Sequence, residues 1–242
     1  MTQFSKTGDS VTHFVHPSTF MIAGPTQCGK TSFVLKLLLN ANALFTIAPQ
    51  RIFWLYKDKR AAPIDALASL TIPVHFIQGC DAEFKKRYFA STAAELPASI
   101  IVIDDLMCEL ANSKTLEELF VEGSHHCNAS VIYLVQNIFQ RSSKHRTASI
   151  NAHYLILFKM PRDYSQVRHL GQEMYLRDRR FFEEVYRDAT EKAYGYLIVD
   201  CRTNTEEVYR LRTEIFPGEA QSVYARPEVY ISEEQSSADP TN

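Results

Sequence analysis

Apolar residues fall along this chain in two alternating rhythms. Short apolar runs, rich in β-branched and aromatic side chains, occur at 18–23, 51–56, 73–77, 99–103, 130–135, 153–158, 195–200 and 208–212. Between them apolar residues recur at helical spacing, as Phe33, Val34, Leu37, Leu38 and Phe45 do over 30–44. The stretches 81–94, 116–122 and 165–187 also read as helical. A run such as SIIVI at 99–103 has no polar alternation, which predicts a central parallel strand buried on both faces. Strands alternating with helices predict an α/β fold, a mostly parallel central sheet flanked by helices through right-handed crossovers. The polar stretch 202–207 between the last two runs predicts a closing C-terminal β-hairpin. Residues 1–17 are mixed and polar and read as an N-terminal arm. Residues 218–242 turn polar and acidic and read as a tail, leaving 18–217 as one domain. Sheets of this kind bind ligands at the carboxyl ends of their strands, so those ends are where chemistry is expected.

Composition narrows this little. The 242 residues are 45% hydrophobic and 22% charged, ordinary for a globular core, and the net charge of -2 does not advertise a polyanion binder. The average hides an asymmetry: residues 141–180 hold nine Lys or Arg against three Asp or Glu, and 226–242 hold one Arg against four acids. Five cysteines, at 28, 80, 108, 127 and 201, are odd in number and form no C-x-x-C pair, which points to reduced thiols. The adjacent His125, His126 and Cys127 point in different directions and have no second ligand pair at finger spacing, so they read as structural rather than metal-binding. No apolar run approaches the ~20 residues of a membrane span, and no signal-peptide core opens the chain, so no membrane partner is expected.

One stretch carries a sharp signal. GPTQCGKTS, residues 24–32, matches G-x-x-x-x-G-K-[ST] at every fixed position, after an expected strand and before an expected helix. Gly24 and Gly29 permit backbone angles that side chains would forbid. Gly24, Pro25, Thr26, Gln27, Cys28, Gly29, Lys30, Thr31 and Ser32 form a loop whose N–H groups, from every residue but Pro25, define a phosphate cradle closed by the positive end of a helix. Lys30 adds a charge at the β- and γ-phosphates, and Thr31 offers a hydroxyl to Mg²⁺. Cys28 reads as a small filler, with a redox switch as the alternative.

A second metal ligand is expected, and SIIVIDDLM supplies an apolar strand ending in Asp104 and Asp105. Asp104 is the expected Mg²⁺ ligand. Asp105 is the expected general base or orienter of the attacking water; the alternatives are a helix cap, with Glu109 taking the catalytic role. The 73 residues between Lys30 and Asp104 leave room for an extra strand between the two motif strands, an arrangement of motor ATPases, and no N-K-x-D guanine motif occurs. ATP is therefore the expected nucleotide. SVIYLVQN then places Gln136 at a third strand end, as a γ-phosphate sensor or as a turn residue. The basic segment that follows holds Arg141, Lys144 and Arg146, candidates for DNA contact or for an arginine finger to a neighbouring subunit, against the plainer reading of a solvated loop. Arg146 is the first candidate finger and Arg162 the second, with Arg177, Arg179 and Arg180 as further arginines.

Taken in order, GPTQCGKT, IVIDD, YLVQN, NAHYLILFKMPRD and YGYLIVD resemble the viral genome-packaging ATPases of the FtsK–HerA branch, above all the poxvirus-type and Polinton/adintovirus-type members. The likeness spans roughly residues 20–217. It implies a RecA-like P-loop core that assembles as a homo-oligomeric ring, a pentamer or hexamer, and uses ATP and Mg²⁺ to pump double-stranded DNA into a capsid at a vertex. It implies Lys30 and Thr31 for nucleotide and Mg²⁺, Asp104 for Mg²⁺, Asp105 for water activation and Gln136 for sensing. The chain departs from cellular members of the branch, which carry Glu where this one has Asp105. The compartments implied are the virion and the nucleus or cytoplasm of an infected cell. A viral helicase and a nucleotide-gated assembly protein with slow turnover are the alternatives.

Overall fold

The apolar runs become strands because each can bury both of its faces. The structure, a computed structural model, describes residues 13–58, 63–80, 84, 96–106, 110, 114–123, 127–139, 143–176 and 178–226. Strands β1 (Thr19–Ala23), β5 (Ala129–Val135), β6 (Tyr154–Phe158) and β7 (Tyr196–Asp200) are buried at every residue, and β4 (Ser99–Asp104) at every residue but its last. Side chains alternate across the sheet, so Met21 and Ala23 enter one core while Phe20 and Ile22 enter the other.

With β2 (Arg51–Tyr56), β3 (Val74–Gln78), β8 (Leu211–Thr213) and β9 (Ser222–Tyr224) these strands form one nine-stranded sheet, ordered β3-β2-β4-β5-β1-β6-β7-β8-β9. The six from β3 to β6 are parallel, and β7, β8 and β9 continue antiparallel. The expected extra strand does lie between β1 and β4. It is β5, however, which follows both in sequence; β2 and β3, drawn from the 73-residue interval, lie outside β4.

Helix α1 (Lys30–Leu39) packs Phe33, Val34, Leu37 and Leu38 on one face of the sheet. The expected helix over 30–44 breaks at Asn40, whose side-chain amide donates to the Lys36 carbonyl at 2.8 Å; a short α2 (Ala41–Leu44) follows. Two further short helices are α3 (Ile64–Leu67) and α4 (Lys114–Glu118), the latter running into a π turn at Leu119–Gly123. Most of the expected helix over 81–94 lies outside the described residues. Residues 143–150, read as a loop, form helix α5 (Ser143–Ile150). Its buried side chains are His145 and Ala148, which apolar periodicity does not register. The stretch 165–187 divides into α6 (Tyr164–Met174) and α7 (Arg179–Ala189), with Asp178 capping α7 by accepting from the Phe181 N–H at 3.3 Å. No helix among the described residues is long and apolar enough to cross a membrane.

Both ends of the expected domain differ from the sequence reading. Phe14, assigned to the arm, is buried: its ring lies 5.1 Å from Phe20 and 4.9 Å from Tyr154, and its backbone pairs with Leu44 and Thr46. Residues 222–224, assigned to the tail, form edge strand β9, held by the Tyr224 hydroxyl donating to Asp188 at 2.7 Å. Each is a short apolar insertion in polar surroundings, stabilised by tertiary packing rather than by local pattern.

The hairpin joining β7 to β8 is organised by Asp200, which is fully buried. Its carboxylate accepts from Arg202 Nε at 3.0 Å and Nη2 at 2.8 Å, from Thr205 Oγ1 at 2.9 Å and from Arg212 Nη2 at 3.5 Å. Arg212 is itself only 1% exposed. Asp200→Ala would leave that guanidinium desolvated beside no carboxylate, so we expect a loss of about 3–5 kcal/mol in denaturant unfolding. A loss under about 1 kcal/mol would mean that the cluster is not a structural lock.

Candidate nucleotide-binding site

Strands β4, β5 and β1 are neighbours, and their carboxyl ends form one ledge: Ala23 pairs with Val135, and Ile103 with Tyr133. Each expected motif leaves the sheet at this ledge. The Gly24 N–H donates to the Val135 carbonyl at 3.2 Å, tying the start of the phosphate loop to the end of β5. A Cβ on Gly24 would meet Cys28 Sγ at 2.6 Å and Phe158 Cβ at 2.8 Å, so only glycine fits. Left-handed backbone at Gln27 (φ 65°) and Gly29 (φ 105°) curls the loop into the form in which successive N–H groups converge on an anion. Helix α1 then begins at Lys30 and adds its positive end.

The Lys30 ammonium donates to the carbonyls of Gly24 at 2.6 Å and Pro25 at 2.9 Å. Burial lowers its pKa, with Cys28 and Asp104 opposing. Cys28 turns its sulfur toward Gly24 and Lys30, and burial pushes its thiol up, which favours the filler reading over a redox thiolate. Asp104 is half-buried; desolvation first, then the charge of Asp105, push its carboxyl up to about 6, with Lys30 opposing. Asp105 is exposed, in left-handed backbone with φ 54°.

These groups line one cavity of about 510 Å³: Lys30, Thr31, Asp104, Asp105 and Gln136 face it together with Thr26, Gln27, Gly29 and Ser32. The Thr31 hydroxyl and the Asp104 carboxylate are hard oxygen donors lining the same cavity, and a divalent cation would offset the desolvation and the Asp105 charge that push Asp104 up. The pair fits Mg²⁺.

The other basic residues among those described lie elsewhere. Arg146 projects from α5 into a separate cavity of about 840 Å³, lined also by His169 and Glu173 of α6. Lys144 is ion-paired with Glu117 of α4. Arg162 is exposed on the loop after β6. Arg141, Arg177, Glu109, His125 and His126 lie outside the described residues. Neither candidate finger lines the cavity that holds Lys30.

Two residues of the site escaped the sequence reading. Gln166 on α6 is buried, and its side chain accepts from the Ile138 N–H at 2.7 Å and donates to Asn137 Oδ1 at 3.1 Å, clamping the segment directly after Gln136. Tyr194, in the loop before β7, stands on the wall of the cavity beside Gly29. A lone glutamine in a helix and a tyrosine in a polar loop carry no pattern that marks them.

No protein-family model matches this sequence, and no curated protein does. Solved structures do. The genome packaging NTPase B204 from Sulfolobus turreted icosahedral virus 2 is similar in its complex with sulfate (TM-score 0.52, 14% identity, 87% of this chain and 97% of that one). It is similar also in complex with AMPPCP (0.51, 14%, 87% and 98%) and with ATP-gammaS (0.50, 13%, 87% and 97%). At such identities the likeness is one of fold, and it extends over nearly the whole of both chains. The chain thus shares the fold of the B204 structures, a mostly parallel sheet with an antiparallel C-terminal extension, and its motif residues gather at the carboxyl ends of β1, β4 and β5.

Proposed function

We propose that this protein is an ATP-driven motor that moves double-stranded DNA into a viral capsid. The observation that carries the reading is the convergence of Lys30, Thr31, Asp104, Asp105 and Gln136 on one cavity across three adjacent strand ends. That set is what phosphoanhydride hydrolysis needs. Lys30 and the loop N–H groups hold the β- and γ-phosphates. Thr31 and Asp104 would hold Mg²⁺, which when bound would neutralise charge on the phosphates. Asp105 orients the attacking water and takes its proton. Gln136, on the same cavity, would contact the γ-phosphate, and through Asn137 and Gln166 it is linked to α6.

The DNA part of the proposal is supported by the fold shared with B204 and by the basic excess over 141–180. Contacts to phosphates alone suit a motor that must pass over any sequence. Because Arg146 and Arg162 lie outside their own subunit's nucleotide cavity, a finger from this chain would act on a neighbour, which favours a homo-oligomeric ring of five or six subunits seated at a capsid vertex. The protein would then be found in the virion and at assembly sites in the nucleus or cytoplasm of the host cell.

A helicase is less favoured, since Phe139, the aromatic of the basic segment that a base-stacking platform would need, packs edge-on against His169 at 4.7 Å. A nucleotide-gated assembly protein with slow turnover is the second reading, favoured by Asp105 being one methylene shorter than glutamate. Steady-state ATP hydrolysis with and without long double-stranded DNA, across a protein concentration series, separates the two. A motor should be stimulated about tenfold or more by DNA, with specific activity rising with protein concentration. Flat, slow turnover indifferent to DNA would replace the motor by the gated assembly protein.

A further inference from the structure

The cavity wall includes one large residue that phosphate chemistry does not use. Tyr194 is 73% exposed, yet its ring is not loose: a Cβ on Gly29 would come within 3.1 Å of Tyr194 Cδ1, so the ring edge lies against the backbone of the phosphate loop. It faces the same cavity as Lys30, Thr31 and the exposed Ser32. Its backbone is left-handed, φ 61°, a conformation that an aromatic side chain disfavours.

The neighbouring turn enforces that conformation. Thr190 ends α7 with its hydroxyl donating to the Tyr186 carbonyl at 2.7 Å, and the Gly195 N–H donates to the Lys192 carbonyl at 3.0 Å. A Cβ on Gly195 would meet the Ala189 carbonyl oxygen at 2.6 Å, so glycine is required there and the chain enters β7 along a single path. The fold thus holds an aromatic ring, in a disfavoured backbone and largely in water, at the edge of a phosphate cradle. A packing role does not account for it, because most of its surface is uncovered. Strained residues held by over-determined surroundings gather at ligand sites.

We propose that Tyr194 is a base-stacking residue: its ring receives the purine base of the nucleotide whose phosphates sit in the 24–32 loop. This rests on the reading that the cavity binds ATP. Geometry gives the direction. Phosphates bound by the loop N–H groups leave the rest of the nucleotide to run outward, and the exposed aromatic on that wall beside Gly29 and α1 is Tyr194. A π face offers stacking to a purine and nothing to a triphosphate, so the residue contributes to affinity for nucleotide over bare polyphosphate.

The test compares Mg²⁺-ATP with inorganic tripolyphosphate by calorimetric titration of the full chain, wild type, Tyr194→Ala and Tyr194→Phe. Tyr194→Ala should bind ATP about tenfold more weakly and tripolyphosphate unchanged, and Tyr194→Phe should keep the wild-type ratio. The unchanged tripolyphosphate affinity shows that the loop is still folded. Tyr194→Trp adds a direct readout, since the native Trp54 is fully buried: ATP should alter its emission and tripolyphosphate should not. If wild type and Tyr194→Ala share one ratio, stacking is overturned while nucleotide binding stands. If wild type binds neither ligand, the reading of the cavity falls and the stacking role with it.

Discussion

Lys30→Ala should reduce ATP hydrolysis by at least about a thousandfold and weaken ATP binding. The ammonium sits at the mouth of a loop whose other donors are backbone N–H groups, and no other Lys or Arg lines the cavity among the described residues. Asp104 and Asp105 line the same cavity, so without Lys30 the balance of side-chain charge turns negative where a polyanion must bind. Lys30 also donates to the Gly24 and Pro25 carbonyls, both at the start of the loop, so a modest loss of local order is expected as well. Lys30→Arg should not rescue, because a planar guanidinium cannot replace a compact ammonium held between two carbonyls and the phosphates. Hydrolysis and equilibrium binding are measured together. Turnover at the wild-type rate in Lys30→Ala would remove the nucleotide reading altogether, since every other assignment at the ledge depends on phosphates held there.

The parts of this site legible in the sequence are those fixed by local chemistry. A buried parallel strand must be apolar throughout, so the strand ends at Ala23, Asp104 and Val135 announce themselves as the places where polarity returns. The glycines of the loop are legible for a steric reason, since Gly24 has no space for a Cβ and Gly29 has a positive φ. What the sequence does not carry is the order in which strands pair. The count of residues between the two motifs points to an interposed strand, yet β5 fills that place because pairing is set by burial on both faces and not by succession. The same limit hid α5, whose buried positions are a histidine and an alanine, and β9, whose three residues gain their place only by pairing with β8. It hid Tyr194 too, since nothing in EKAYGY tells that its loop folds back beside residue 29. The basic segment shows the converse. Its charge is plain in the sequence, but Lys144 meets Glu117 and Arg146 faces a cavity shared with α6, contacts that depend wholly on tertiary structure.

Asp105→Asn should leave ATP binding intact and lower hydrolysis by about 10²–10⁴-fold. Three features of the structure make this the informative substitution. Asp105 is exposed in the cavity, so its loss opens no hole in the core. Its backbone is left-handed, and asparagine accepts that conformation as readily as aspartate, whereas alanine would add strain and confound the result. Its charge is one of the two causes that raise the Asp104 carboxyl, so neutralising it makes Asp104 a better anion for Mg²⁺. Affinity for Mg²⁺-ATP should therefore hold or rise while turnover falls, a split that a metal ligand would not show. A variant that loses binding along with hydrolysis would make Asp105 a ligand or a structural residue and would move the search for the base to Glu109. Asp105→Glu completes the argument. If the role is to reach a water, the longer acid should retain a substantial part of the turnover that asparagine loses, even though the left-handed backbone suits glutamate less well. If glutamate is as inactive as asparagine, the role depends on the position of the aspartate carboxylate, which the extra methylene displaces.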